Sequence, residues 1–197
     1  MTKTSDRARS SLSRTTDVAY IAVFTAVVII LGFVAIPVGT AGVPIVLQNA
    51  AIILAGLVLG ARRGLFVSIL FLLLGLIGLP VLSGGRSALA ALAGPTAGYL
   101  VGYVLSSWIA GLIAYRSPRG KAGMTATLTL AGLVATIVQL IFGALGLMLR
   151  SGLDAGAAAA AQVPFLLPGA AKLFIIVAIA VAVHAAFPEL KGRRAAR

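Results

Sequence analysis

Six apolar runs, each near the length of one bilayer crossing, decide most of what this chain can become. A helix needs about 20 apolar residues to cross a hydrocarbon layer about 30 Å thick. The runs cover roughly Val18–Pro37, Pro44–Ala61, Gly64–Leu82, Pro95–Tyr115, Met124–Leu149 and Val163–Phe187. The second is short or tilted. Hydrocarbon offers the backbone no hydrogen-bond partner, so each run is read as a helix. Composition points the same way. Of 197 residues, 60% are hydrophobic and 10% charged, where a soluble domain carries about 25% charged. Mean hydropathy is +1.11, more apolar surface than a soluble core of this size can hide. The sequence therefore predicts an all-α integral membrane protein with six transmembrane helices and irregular outer loops. The membrane domain spans residues 18–188. A polar, basic tail (1–17) precedes it and a basic tail (189–197) follows. The first apolar run is too long for a signal-peptide core, so it is read as an uncleaved span.

Charge sets the expected orientation. Thirteen of the sixteen Lys and Arg residues fall in the two tails and in alternate loops: Arg62 and Arg63, then Arg116, Arg119 and Lys121. The opposite side holds Arg86 and Arg150. The positive-inside rule then places both termini in the cytoplasm of a multi-pass cytoplasmic-membrane protein. Prolines show the reverse bias. Pro37, Pro44, Pro80, Pro95, Pro164 and Pro168 fall at or near the outer side, and only Pro118 and Pro188 inside. Proline removes a backbone donor and disrupts helix. One reading is that each merely ends a helix. The other is that together they make an outer region whose irregular backbone serves a polar ligand.

The segment Gly78–Tyr99 concentrates this irregularity, with five glycines, two prolines and the polar residues Ser83, Arg86, Ser87 and Thr96. Such backbone is tolerated at membrane depth only where protein buries it or a cavity receives it. A ligand site is expected there.

Lys172 is the sharpest single residue. It lies eight positions after Pro164, roughly 12 Å into the sixth helix. A cation at mid-span costs about 2.5–3.5 kcal/mol on insertion scales. Asp6, Asp17, Asp154 and Glu189 all lie in tails or loops, so no acid within a span offsets it. A bound anion is the natural partner; snorkelling to the outer interface is the alternative. Arg86 either clamps a carboxylate or is simply solvated. Gln48 and Gln139 lie within spans and offer both donors and an acceptor. Each either reads an amide or urea edge or joins two helices, and joining is favoured for Gln139. Tyr99 and Trp108 either flank a ring or anchor at the interface.

Other chemistry is excluded. The chain has no cysteine and one histidine, His184, near the cytoplasmic end of the last span. That leaves no disulfide, metal cluster or nucleophile–base pair, so no enzyme and no cofactor are expected. Gly120-Lys121 lacks the earlier glycine of a phosphate-binding loop, because position 115 is Tyr. The basic residues are scattered over short loops and tails, which argues against nucleic acid and for contact with membrane lipid. Small residues recur four apart at Ala22/Ala26, Gly56/Gly60, Gly60/Gly64 and Gly98/Gly102, where helix backbones can approach closely. The run Ala157–Ala161 is read as a connecting helix or the lead into the sixth span.

Several of these residues fall into a known pattern. Val43-Pro-Ile-Val-Leu-Gln48, Leu54-Ala-Gly-Leu-Val-Leu-Gly60, Gly75-Leu-Ile-Gly-Leu-Pro-Val81, Gly94-Pro-Thr-Ala-Gly-Tyr-Leu100 and Pro164-Phe165 ahead of Lys172 stand in one order along most of the chain. The chain thereby resembles the biotin-specific substrate-binding subunits of energy-coupling-factor transporters, the BioY family. The resemblance implies a six-helix fold with a biotin site near the outer face. It implies a partner transmembrane subunit and two cytoplasmic ATPases. It implies that Ala22 and Ala26 dock the partner and that Lys172 lies on or near the ligand. The polar outer groups Ser83 and Thr96, with Gln48, Tyr99, Gln139 and Arg86, complete the expected ligand set. The family usually has an aspartate three residues before the lysine, where this chain has Gly169, and small residues where it has Arg86-Ser87. Two other functions fit the same residues: capture of another anionic, vitamin-like molecule, or a membrane scaffold whose polar residues only join helices.

Overall fold

The computed structural model describes residues 2–36, 45–118 and 120–192. Pro37, Pro44, Arg119 and the basic residues from Arg193 onward lie outside these. The chain is helical almost throughout. Helix α1 (Thr2–Gly32) leads to a two-stranded antiparallel ribbon, β1 (Ala35–Ile36) and β2 (Ile45–Val46). Then come α2 (Gln48–Leu59), α3 (Ala61–Leu76), a 3-10 turn at Ser83–Gly85, and α4 (Ala88–Ala93). Helices α5 (Ala97–Ala114), α6 (Lys121–Ser151), α7 (Ala155–Ala160), α8 (Val163–Ala186) and α9 (Glu189–Gly192) complete it.

Each of the six apolar runs forms a helix. Four stretches are long and apolar enough to cross a membrane: Arg14–Gly32, Ala97–Ala114, Lys121–Ser151 and Ala155–Ala186. Helices α2 and α3 are shorter, about 18 and 24 Å at 1.5 Å per residue. The basic segment before residue 18 and the first apolar run share one helix, α1. Ala157–Ala161 falls largely within the short connecting helix α7, whose first turn is capped by Asp154 accepting from Ala157 N at 2.8 Å.

Helix α2 is the centre of the bundle. Every residue from Ala50 to Leu59 is buried, and the helix packs against α1, α3, α5, α6 and α8. A helix apolar all round belongs in such a place. Its end still leaves carbonyls without helical partners. The protein supplies them: Tyr115 Oη donates to Val58 O at 2.7 Å, and His184 Nε2 lies 2.9 Å from Leu57 O. Gly60 then turns the chain into α3 with φ 84°, a conformation other residues rarely adopt. His184, expected at a helix end, is buried there with its ring edge against Tyr115.

Three of the four small-residue pairs work inside the subunit. A Cβ on Gly98 would lie 2.7 Å from Gly146 Cα, and one on Gly102 would lie 3.1 Å from Gln139 Cα. Helices α5 and α6 can therefore touch backbone to backbone. Gly56 and Gly64 pack likewise, with 2.8 Å from a Gly64 Cβ to Gly56 Cα. Ala22 and Ala26 instead face outward from α1.

Candidate functional site

The glycine- and proline-rich segment folds tightly at one end of the bundle. Leu82 N donates to Arg86 O at 2.9 Å, closing a turn that turns Ser83 and Arg86 toward the bundle. Ser87 accepts from Ala90 N at 3.3 Å and so caps α4. Pro95 and Thr96 then open α5. The opposite wall comes from the start of α8. Pro164 sits in its first turn, where a missing N–H costs nothing, and Pro168 lies inside it, one turn before Lys172.

Between these walls lies a cavity. All seven residues expected to hold a ligand line it: Gln48, Ser83, Arg86, Thr96, Tyr99, Gln139 and Lys172. They come from α2, the turn, α5, α6 and α8, brought together by folding. The space open to water-sized molecules is about 60 Å³, room for a few waters.

Lys172 does not snorkel. It is 9% exposed, and its Nζ donates to Val46 O and to Asn49 Oδ1, each at 3.0 Å. Neutral oxygens thus hold the cation, and its third N–H is left for another acceptor. Arg86 is half-buried, with Nε only 3.4 Å from Ser83 O. No acidic side chain lines the cavity among the described residues. The ion pair between Asp17 and Arg63, 2.5 Å apart, joins α1 to α3 away from it. The walls therefore carry positive charge.

The same walls hold three buried oxygens that find no hydrogen bond within the protein: Ser83 Oγ, Thr96 Oγ1 and Gln139 Oε1. Each such group costs about 1–3 kcal/mol until a partner meets it. Their three residues line the same cavity as Lys172 and Arg86. The glutamines also join helices. Gln48 Nε2 donates to Val28 O at 3.1 Å and Val81 O at 2.8 Å, so its donors are spent on architecture. Gln139 Nε2 donates to Asn49 O at 3.2 Å and Ser106 Oγ at 2.9 Å, the favoured joining role, while its oxygen finds no partner within the protein. Tyr99 Oη donates to Gln162 Oε1 at 2.6 Å.

The sequence profile of the BioY family matches residues 2–189. The chain belongs to the BioY family. The biotin transporter BioY of Rhizobium etli is 37% identical over 184 residues, covering 91% of this chain and 98% of that protein. The biotin transporter BioY of Rhodobacter capsulatus is 43% identical over 136 residues, 68% of this chain and 70% of that one. Among solved structures, the S-component for biotin from an ECF-type ABC transporter superposes with a TM-score of 0.79 at 30% identity. It covers 88% of this chain and 93% of that chain. This BioY-family fold is that of a transporter component, not an enzyme.

Three polar cavity residues of this BioY-family chain escaped the sequence reading: Asn49, Tyr103 and Thr136. Each lies three or four residues, or one, from a residue that was found. Tyr103 follows Tyr99 by one helical turn, Thr136 precedes Gln139 by three, and Asn49 adjoins Gln48. Polar residues in apolar helices were the signal for all three. Trp108, weighed as a ring-flanking residue, is 41% exposed and lies outside the cavity.

Proposed function

We propose that this chain captures biotin and serves as the substrate-binding subunit of an energy-coupling-factor transporter in the cytoplasmic membrane. The observation that carries this reading is one cavity lined by Lys172 and Arg86 together with three residues, Ser83, Thr96 and Gln139, that hold unsatisfied oxygens. Biotin brings a carboxylate for the cations. Its ureido group offers two N–H donors and a carbonyl, complementary to Gln139 Oε1 and the hydroxyls of Ser83 and Thr96. Its apolar bicycle suits the walls made by Leu82, Tyr99, Tyr103 and Phe165. A few placed polar groups within an apolar pocket is the usual design of such sites. No cofactor takes part; biotin is cargo.

In this reading six helices cross the membrane with both termini in the cytoplasm and the cavity toward the outer face. The asymmetry of Lys and Arg supports that orientation. The basic tails 1–17 and 189–197 then flank the membrane domain 18–188 on the cytoplasmic side, against anionic lipid. The partners are an energy-coupling transmembrane subunit and two cytoplasmic ATPases. The outward-facing pair Ala22 and Ala26 supports α1 as the docking helix, because small residues allow close helix approach. Equilibrium binding of labelled biotin to the purified protein is the test. Saturable binding that competes with unlabelled biotin supports the reading; its absence overturns it.

A further inference from the structure

The charge of Lys172 is oriented but not cancelled. Its two protein partners, Val46 O and Asn49 Oδ1, are neutral, and no acid lines the cavity among the described residues. Gly169, on the same helix face three residues earlier, brings no side chain, although a Cβ there would meet nothing within 4 Å. Asn49 is itself fixed from behind, since Gln139 Nε2 donates to its backbone carbonyl at 3.2 Å. An amide oxygen at this point holds the ammonium as a carboxylate would, yet leaves the full positive charge facing the cavity.

We propose that Asn49 is a positioning residue that sets the charge selectivity of the site: it aims Lys172 without neutralising it. The cavity therefore favours a ligand bearing a carboxylate over the same ligand as its neutral amide. This rests on the biotin reading above. Aspartate at position 49 has nearly the same shape and accepts the same hydrogen bond, but it pairs with the ammonium and removes the charge a ligand carboxylate would meet.

Competition of labelled biotin against unlabelled biotin and biotinamide, on the purified full chain in lipid nanodiscs, tests this. The wild-type protein is expected to prefer the acid by about tenfold or more, the worth of a charged hydrogen bond. In Asn49→Asp the preference shrinks to about threefold or less, through weaker acid binding with amide binding retained. In Asn49→Leu the acceptor is gone but the charge remains, so acid binding weakens and the preference persists. A folded Asn49→Asp protein with the wild-type preference overturns the inference. Should that variant not fold, undiminished biotin affinity in Asn49→Leu overturns it equally. A wild-type protein that binds neither compound sinks the biotin reading itself, a different result from a selectivity that ignores position 49.

Discussion

Gln48 and Val81 are joined across 33 positions of sequence, the Gln48 amide nitrogen donating to the Val81 carbonyl at 2.8 Å. The same nitrogen reaches Val28 O at 3.1 Å, so one buried side chain ties α2 to α1 and to the chain just before the Ser83 turn. Leucine fills similar space but leaves the buried Val81 carbonyl without this donor and removes the tie to Val28 O. Gln48→Leu is expected to cost about 2 kcal/mol. For a chain of this size that lowers the melting temperature by roughly 4–8 °C. Thermal unfolding in detergent, followed by size-exclusion chromatography, reads the change.

Lys172 behaves differently, because its burial is a cost to the fold. Removing a lone buried ammonium relieves its desolvation cost, which offsets the hydrogen bonds lost at Val46 O and Asn49 Oδ1. Lys172→Met should therefore leave the melting temperature of the ligand-free protein within a few degrees of wild type. Biotin affinity is expected to fall by about 1.5–3 kcal/mol, roughly 10- to 150-fold. Affinity titration beside a melting curve separates the two effects.

Two glycines give opposite expectations for the same change. Gly98 meets Gly146 and the Phe142 carbonyl where α5 crosses α6, and an added methyl has no room. Gly98→Ala should cost about 1–3 kcal/mol as overpacking pushes the helices apart. At Gly169 an added methyl meets nothing within 4 Å, and alanine also favours helix, so Gly169→Ala should leave stability unchanged or raise it by about 0.5–1 kcal/mol. Melting curves of the two variants, run together, check the contrast.

At the far end of α2, Tyr115 sits away from the cavity. Its hydroxyl satisfies Val58 O at 2.7 Å near the Gly60 turn, and neither residue lines the cavity. Tyr115→Phe keeps the ring and loses that bond. It should lower stability by about 1–2 kcal/mol and leave biotin affinity unaltered. A weakened affinity in a folded variant would show that the two ends of α2 are coupled.

The sequence made the helices and the ligand-facing residues legible for one reason: polarity inside an apolar chain is costly and therefore conspicuous. Lys172, Gln48, Gln139 and the Ser83–Thr96 segment stand out on that ground and meet at one cavity. What those residues do there was less visible. Gln48 spends its donors on Val28 and Val81, a use that depends on which carbonyls three-dimensional packing leaves unpaired. The expectation of an anion for Lys172 rests on the lack of an acid in any span. The sequence does not show that a strand carbonyl and Asn49, more than a hundred residues away, orient its ammonium. Ser87, marked only as a departure in a glycine-rich stretch, caps α4. Short helices such as α2 were visible as apolar runs, but their central position follows from packing on every side.

The outward pair on α1 gives the last expectation. Ala22 and Ala26 are exposed along one face, one turn apart, while the other small-residue pairs are consumed by internal crossings. A bulky side chain at Ala22 or Ala26 meets no neighbour within the subunit, so folding and biotin binding should be preserved. A partner helix that approaches this face closely would be held off, since such contacts depend on small residues. Ala22→Trp and Ala26→Trp should therefore bind biotin with wild-type affinity when purified, yet abolish co-purification with the energy-coupling subunit and reduce biotin uptake by cells at least about tenfold. Loss of binding in the purified variants would make α1 part of the ligand site instead. Undiminished co-purification and uptake would move the docking surface to another face of the bundle.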